Sequence, residues 1–371
     1  MAREYEVKIS GQPVWNSSRG RQFKIYFSEP EQRINSETGI LLLIAGYGGS
    51  ANSRVYQKMR RQFADQYNFV TLQCDYLGWQ FMQDDHHLPI TEQILRGSLT
   101  PREFRTLEKD FAGHQKLLQG KVFSGQIDLK ESIEDYNEMG LCQAMDHLRA
   151  LQVLQDILKQ NGRVYRQDRI YIYGQSHGAY LAYLCNRLAS EIFTGIIDNS
   201  AYLMPYYLDH DRQVTKVGEL FSLQKVYHYL VADRTIDREG YDLRYLYHEF
   251  SNQAKIICYH GADDEMIPLK EKKLFLDGIR NASLHVITER EIDGKIFQST
   301  GHSLGADILK LFDIALKELE EERAEKGVYD LQKVKIVTSK YVYWIDRTQN
   351  IPILYRKQNE TEIKENIGEG K

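Results

Sequence analysis

Serine, aspartate and histidine, the side chains that nucleophilic acyl transfer requires, occur in that order along the 371-residue sequence. Ser176 lies in Gly-Gln-Ser-His-Gly at 174–178, which fits the pattern G-x-S-x-G. Asp264 follows an apolar segment, and His302 lies in Ser-Thr-Gly-His-Ser at 299–303. A serine hydroxyl becomes an effective nucleophile when a base takes its proton and a third group orients that base. The sequence therefore predicts that Ser176, His302 and Asp264 act together.

The surroundings of Ser176 favour a nucleophile. The apolar segment 169–173 predicts a buried strand before it, and 179–188 predicts a buried helix after it. A sharp strand-to-helix turn projects a serine hydroxyl from the end of a strand. Gly174 and Gly178 would let neighbouring backbone approach that turn closely. The alternative interpretation is an ordinary glycine-rich turn with no chemical role.

Attack by Ser176 also needs N–H donors for the negative charge that develops on the carbonyl oxygen. The backbone N–H of His177 is one candidate, since it begins a predicted helix whose dipole favours negative charge. The N–H of Tyr47, in the loop Gly-Tyr-Gly-Gly at 46–49, is the other. A phosphate-binding loop is the competing interpretation, but this loop lacks the Gly-Lys-Ser/Thr ending of a P-loop.

The elements that must position these residues alternate between strand and helix. Such alternation predicts a mostly parallel sheet with helices on both faces, and ligands bind such sheets at the carboxyl ends of the strands. The two most N-terminal strands show the alternation typical of antiparallel strands. The predicted strands are 4–9, 21–27, 39–45, 69–74, 169–173, 195–198, 255–260 and 284–287, and the predicted helices are 56–67, 131–160, 179–188, 269–279 and 304–326.

Two polar or tyrosine-rich segments, 77–130 and 200–252, interrupt this pattern and are predicted to be insertions that cap the sheet. Tyr202, Tyr206 and Tyr207 in the second insertion either line a substrate pocket or form the insertion's own small core. Residues 1–326 are thus predicted to form one domain with its cap. The remainder, 327–371, is predicted to be a β extension, with strands at 334–338, 341–345 and 351–355, and a charged tail.

Taken together, these motifs resemble those of the α/β-hydrolases. The resemblance covers roughly 36–325 and rests on GILLLIAGYGG, FVTLQCDYLG, RIYIYGQSHGAYLA, KIICYHGADDEMIP and STGHS. It implies the α/β-hydrolase fold and a Ser–His–Asp mechanism on Ser176, His302 and Asp264. More faintly, GYGGSAN, GQSHG and IIDNSAYLMP resemble a bacterial branch often encoded among flagellin-glycosylation or surface-glycan genes, which implies a glycan-linked acyl substrate.

The identity of the acidic residue is open at this stage. Asp263 is adjacent to Asp264, although the pattern G-x-x-D-x-x-I-P favours Asp264. Asp198 also follows a predicted strand, at a position where some hydrolases place their acid. Asp198 could instead bond to the loops around the serine.

No metal or cofactor is predicted. The cluster Asp84-Asp85-His86-His87 contains potential ligands, but adjacent side chains on a chain rarely point the same way, and no suitably spaced partner is evident. A solvated or cap-lining loop is the preferred interpretation there. The same reasoning applies to His210, which lies between Asp209 and Asp211.

The composition limits the classes of partner that the protein could bind and indicates its cellular compartment. Lys and Arg total 48 against 52 Asp and Glu, a formal charge of −4, which argues against a nucleic-acid partner. The longest apolar run, 40–45, is too short to cross a membrane, and the N-terminal residues lack the apolar core of a signal peptide. The four cysteines are widely separated and lie in or beside predicted buried elements, as is typical of a reduced cytoplasmic protein.

The sequence thus predicts a serine hydrolase that cleaves an ester through an acyl-enzyme, acting on a small-molecule or glycan-linked acyl substrate. If the insertions exclude water, the same machinery could transfer the acyl group to a sugar hydroxyl. A thioesterase or a peptidase of the same fold is an alternative. A non-enzymatic relative that uses the insertions for binding is another.

Overall fold

A computed structural model describes residues 1–15, 19–234, 236–321, 334–346 and 351–359. The strands are β1 (Arg3–Ser10), β2 (Gln22–Glu29), β3 (Gly39–Ile44), β4 (Phe69–Cys74), β5 (Lys121–Gln126), β6 (Ile170–Gln175), β7 (Gly195–Asn199), β8 (Arg212–Val217), β9 (Phe221–Tyr227), β10 (Lys255–Gly261), β11 (Ala282–Ile287), β12 (Lys335–Val337), β13 (Tyr341–Asp346) and β14 (Ile353–Gln358). The helices are α1 (Arg54–Tyr67), α2 (Glu92–Ser98), α3 (Pro101–Lys109), α4 (Phe111–His114), α5 (Leu141–Gln160), α6 (His177–Leu188), α7 (Arg238–Tyr241), α8 (Leu243–Tyr247), α9 (Leu269–Asp277) and α10 (Ile308–Glu321).

The central sheet has eight strands in the order β1-β2-β4-β3-β6-β7-β10-β11. Strand β2 is antiparallel to both of its neighbours, and every later pair is parallel. The prediction of a mostly parallel sheet with antiparallel N-terminal strands is therefore confirmed. Since the parallel strands share one direction, the turns that follow β3, β6, β7 and β10 all lie at the same edge of the sheet.

Helices cover both faces of this sheet. Helices α5, α6 and α9 pack on one face, around residues such as Leu148, Leu184 and Phe275. Helices α1 and α10 pack on the other, where Phe63 stacks on Phe312 with 4.2 Å between ring centroids. Strands β3 and β4 are buried at every position, because helices cover both of their faces.

The segments predicted as insertions share a second, smaller sheet. Strand β5, from the first, pairs in parallel with β9 of the second, and β9 pairs antiparallel with β8. No strand was predicted within either segment. Residues 121–126, 212–217 and 221–227 were not predicted as strands, because apolar and polar residues do not alternate strictly along them.

Two predicted helix boundaries are wrong. Helix α5 begins at Leu141 and not at residue 131. The intervening segment is a loop in which the Glu131 carboxylate accepts backbone N–H groups from Asn137 and Leu230, and the Glu138 carboxylate accepts those of Gly140 and Cys142. These side chain–backbone bonds compete with helix formation.

The last helix begins at Ile308 and not at residue 304. The carboxylate of Asp307 accepts the N–H groups of Leu309 and Lys310 and so sets its start. Its predicted end, 322–326, lies outside the described residues, as do 327–333, 347–350 and 360–371 of the predicted extension. In the described part of that extension, β12, β13 and β14 form a three-stranded sheet.

Candidate active site

Ser176 occupies the sharp turn between β6 and α6. Its backbone angles, φ 55° and ψ −121°, lie in a region that residues other than glycine rarely adopt. The two glycines of the motif make this turn possible. A Cβ on Gly174 would lie 2.4 Å from the Gly178 carbonyl oxygen, and a Cβ on Gly178 would lie 2.2 Å from that of Ile44. A strained serine at a strand end is the geometry of a nucleophile elbow.

The three side chains singled out in the sequence form one hydrogen-bonded chain. Ser176 Oγ lies 2.7 Å from His302 Nε2, and His302 Nδ1 lies 2.8 Å from Asp264 Oδ2. A carboxylate only accepts hydrogen bonds, so Nδ1 carries the proton and donates it. His302 Nε2 is then the acceptor, and the Ser176 hydroxyl donates to it. This arrangement is able to move a proton from the serine to the histidine.

Asp264 is held in place from both of its oxygens. Its Oδ1 accepts the backbone N–H groups of Met266 and Ile267 at 3.0 and 3.1 Å, while Oδ2 faces His302. Burial by itself raises the pKa of the Asp264 carboxyl, but the hydrogen bond and electrostatic attraction of His302, together with His260 and the Ile267 N–H, outweigh burial and leave this pKa below its ordinary value. Asp264 is therefore ionised over the neutral pH range.

The loop that carries His302 reaches Asp264 because a glycine ends the neighbouring strand. A Cβ on Gly261 would lie 2.0 Å from the Thr300 carbonyl oxygen, so only glycine permits this approach. The two residues after His302, Ser303 and Leu304, both adopt φ 63°, which turns the chain sharply before α10. The Ser303 N–H donates to Ser200 Oγ at 3.2 Å, which ties this loop to the turn after β7.

The Tyr47 loop lies against the elbow. A Cβ on Gly46 would lie 3.5 Å from the Ser176 Cβ. The N–H groups of Tyr47 and His177 donate to no acceptor among the residues that the structure describes. Their side chains are engaged elsewhere: the Tyr47 hydroxyl accepts a hydrogen bond from Asn137, and the His177 ring is paired with Gln143 Oε1 at 2.7 Å. Both backbone N–H groups thus remain available beside the serine.

The alternative acids lie elsewhere. Asp263 is exposed to solvent, whereas Asp264 is buried. Asp198 is fully buried and bonds to Lys272 Nζ at 2.8 Å, to the Tyr183 hydroxyl at 2.9 Å and to the Ala201 N–H at 2.7 Å. Asp198 therefore holds the turn after β7 through Ala201 and ties it to α9 through Lys272.

The potential metal ligands are dispersed. Asp84 bonds to Arg212, while His86 Nδ1 lies 2.9 Å from the Gln83 carbonyl oxygen. His210 stacks on Tyr206 with 4.2 Å between ring centroids. Within the described ranges, no three His, Cys, Asp or Glu side chains are grouped as metal ligands. No helix in this part of the chain combines the length and apolar character needed to cross a bilayer.

Several residues near the site were not found from the sequence. Gly261 gave no signal beyond its place before Asp263, and Lys272 looked like one more lysine on an amphipathic helix. Arg212 is buried against the Tyr47 ring, with 5.2 Å between its guanidinium carbon and the ring centroid. Nothing in the sequence near 212 indicates this burial, because the contact depends on how the cap packs.

The strand order, the antiparallel second strand and the elbow after β6 define this protein as having the α/β-hydrolase fold. The chain belongs to the family described as "Protein of unknown function (DUF2920)", whose model matches residues 116–351. That match includes Ser176, Asp264 and His302, but it begins after the Tyr47 loop. In a comparison with curated proteins, no sequence matches.

Three of the solved structures with some likeness to this chain are those of enzymes. An acylaminoacyl peptidase in complex with Z-Gly-Gly-Phe-chloromethyl ketone aligns over 89% of this chain and 43% of its own, at 12% identity and a TM-score of 0.49. This chain thus spans less than half of that peptidase. Est1E from Butyrivibrio proteoclasticus, with ferulic acid bound, aligns over 81% of this chain and 95% of its own, at 14% identity and a TM-score of 0.45. Acetyl xylan esterase 1 from Thermoanaerobacterium sp. JW/SL YS485 aligns over 84% and 87%, at 13% identity and a TM-score of 0.42.

Proposed function

We propose that this protein is a serine hydrolase that cleaves carboxylic esters through an acyl-enzyme. Ser176 attacks the carbonyl carbon while His302 Nε2 takes the hydroxyl proton. Asp264 orients the imidazole and stabilises its charged form. The N–H groups of Tyr47 and His177 bind the oxyanion. His302 then passes the proton to the leaving alcohol, and a water molecule, activated by the same imidazole, releases the acid.

The observation that carries this proposal is the continuous chain of hydrogen bonds from Ser176 through His302 to Asp264. Each link is 2.7–2.8 Å long, and the carboxylate at its end is buried and doubly bonded to backbone. The strained backbone at Ser176 adds to this, because strain of this kind persists where the surrounding structure enforces it and is common at reacting residues.

A fluorophosphonate probe tests the proposal directly. We expect the folded protein to be labelled at Ser176, as read by mass spectrometry of its peptides, and Ser176→Ala to abolish labelling. Ser124→Ala, at an exposed position of β5, is the matched control and should be labelled like the unaltered protein. Absence of labelling in protein that melts cooperatively would reject the enzyme and favour a binding protein built on the same fold.

The type of bond needs its own experiment. We propose an oxygen ester, and we expect p-nitrophenyl esters of increasing acyl length to be hydrolysed with a clear optimum. Matched thioesters that react much faster would reassign the protein as a thioesterase. The resemblance noted in the sequence makes acylated sugars the first natural-type substrates to test, and transfer of the acyl group to an added sugar, detected by mass spectrometry, would show acyltransferase activity.

We also propose that the protein works in the cytoplasm. All four cysteines, Cys74, Cys142, Cys185 and Cys258, are buried and free. Structures with several reduced cysteines are typical of reducing compartments. Fractionation of cells that express the full chain, followed by immunodetection, tests this placement.

A further inference from the structure

A buried cation lies close to the proposed nucleophile, on the cap side. The side chain of Arg212, the first residue of β8, is only 6% exposed. Its guanidinium carbon lies 5.2 Å from the ring centroids of both Tyr47 and Tyr227. The chemistry proposed above does not use this residue, and a charge so far from water needs a partner.

The partners that Arg212 has do not exhaust its donors. One terminal nitrogen bonds to Asp84 Oδ1, and the other lies 3.3 Å from the Met82 carbonyl oxygen. A guanidinium has further N–H donors beyond these two bonds. Asp84 is itself 50% exposed, so it pairs with Arg212 from the solvent side.

Further tyrosine side chains lie beside the guanidinium. Burial raises the pKa of both Tyr207 and Tyr229, and the positive charge of Arg212 acts in the opposite direction on each, which places the guanidinium beside both phenols. The hydroxyl of Tyr227 is buried and finds no hydrogen-bond partner in the part of the chain that the structure describes, whereas that of Tyr229 lies beside the guanidinium. A buried hydroxyl rarely remains unpartnered in a working protein, so the Tyr227 hydroxyl points to a ligand.

A row of rings links Arg212 to the reacting centre. Tyr207 lies 6.4 Å from Tyr202 between ring centroids, and Tyr202 lies 5.5 Å from His302. Tyr207 also lies 4.7 Å from Tyr47, whose N–H is a proposed oxyanion donor. A substrate bound at Ser176 and extending along this row would reach the guanidinium at its far end.

We propose that Arg212, with the hydroxyls of Tyr207, Tyr227 and Tyr229, binds a carboxylate group of the substrate, so that the ester cleaved at Ser176 carries a negative charge away from the scissile bond. This inference rests on the proposed function and adds the class of substrate to it. The planar fork of an arginine matches a carboxylate with two parallel hydrogen bonds. The bond to Asp84 shows that this guanidinium already binds one carboxylate.

Paired esters that differ in charge test the proposal. One pair is 4-nitrophenyl hydrogen adipate and 4-nitrophenyl methyl adipate, which places the charge on the acyl side. The other is 4-acetoxybenzoate and methyl 4-acetoxybenzoate, which places it on the leaving group. For at least one pair, we expect Arg212→Gln to lower kcat/KM of the charged member about 10- to 100-fold more than that of the neutral member, since charge-assisted hydrogen bonds are lost. Comparing ratios between variants cancels the intrinsic reactivity of each ester.

Arg238→Gln is the matched control. Arg238 also lies in the second insertion and pairs with an aspartate, Asp209, but it is 54% exposed. The control removes the same charge from the protein and should leave both ratios unchanged. Equal losses for charged and neutral members with Arg212→Gln would overturn the proposal and make Arg212 a structural residue of the cap.

A second variant tests the proposal even if Arg212→Gln does not fold. Asp84→Asn removes the carboxylate that competes for the guanidinium, so we expect KM of the charged member to fall several-fold while that of the neutral member stays constant. A purely structural Asp84–Arg212 pair predicts the opposite, a loss for both members. If Ser176 reacts with fluorophosphonate but no variant changes the charged-to-neutral ratio, this inference fails and the proposed function stands. If Ser176 does not react, both fail.

Discussion

The ring of Tyr202 lies parallel to the imidazole of His302, with 5.5 Å between centroids and 8° between planes. Tyr202 is fully buried and stands at the beginning of the second insertion, whereas His302 comes from the loop before the last helix. The cap therefore contributes directly to the position of the side chain that we propose as the base.

Removing this stack should impair the reaction more than removing the hydroxyl. We expect Tyr202→Ala to lower kcat for a p-nitrophenyl ester about 10- to 100-fold, because a displaced base loses its near-attack geometry. Tyr202→Phe keeps the ring on His302 and should retain most of the activity. Equal losses in the two variants would show that the hydroxyl, which lies beside Ser176, matters and the stack does not.

The two adjacent aspartates provide a test of the acid with its own control. Asp264→Asn leaves the shape intact but removes the charge that fixes the tautomer of His302, and we expect kcat to fall about 10⁴-fold. Asp263→Asn changes an exposed neighbour and should leave kcat unchanged. The values of kcat for steady-state hydrolysis of one ester by the two variants show which aspartate is the acid. A large loss with Asp263→Asn and none with Asp264→Asn would contradict the assignment.

The buried ion pair of Asp198 and Lys272 should matter for stability. Burial opposes the charge on each, but the attraction between them prevails, so the pKa of Asp198 lies below and that of Lys272 above its ordinary value. Lys272→Met leaves the carboxylate unpaired, and we expect the free energy of unfolding in urea to drop by about 3–5 kcal/mol.

The double variant Asp198→Asn/Lys272→Met is the informative comparison for that pair. Since it removes both charges, it should be more stable than Lys272→Met alone. If the folded double variant still reacts with fluorophosphonate, Asp198 has no part in activating Ser176. A double variant less stable than either single one would contradict this account.

The stability of the protein should fall in acid because two histidines are buried uncharged. Burial lowers the pKa of both His147 and His177 to about 3. Between pH 6.5 and 3 the unfolded chain binds protons that the folded one excludes, so stability rises with pH through this window. At pH 4.5 each histidine costs about 2–3 kcal/mol relative to pH 7.

His147 lies away from the proposed chemistry and is the better target. We expect His147→Gln to shrink the difference in unfolding free energy between pH 7 and pH 4.5 by about 2–3 kcal/mol, as measured with urea at each pH. His87→Gln, in an exposed loop, is the control and should leave that difference unaltered. An undiminished difference in His147→Gln would mean that this imidazole is protonated in the folded state.

Local patterns were sufficient for the central sheet and for the turn at Ser176. The buried strands are short, mainly apolar runs, and the turn has glycines where backbones must touch, so residues adjacent in the sequence specify both features. The rule that parallel strands end at one edge then predicted that Ser176, Asp264 and His302 lie close together. The roles of these residues in catalysis stay predictions.

The cap could not be predicted in the same way. Strand β9 is half-buried along most of its length, so it shows no two-residue period. Its partner β5 lies about a hundred residues earlier, and no pattern in either segment specifies a parallel pairing over that separation. Arg212 pairs with Tyr227 across β8 and β9, and its burial depends on how these strands pack against the Tyr47 loop, which no pattern near residue 212 specifies.

The pairing of β5 with β9 also has a consequence for how the chain assembles. Between these strands lie α5, β6, α6 and β7, all of them part of the main body. Closing so long a loop is entropically costly until that body has brought its ends together. We therefore expect the sheet of β5, β9 and β8 to form late in folding, after the strands and helices between β5 and β9 have packed.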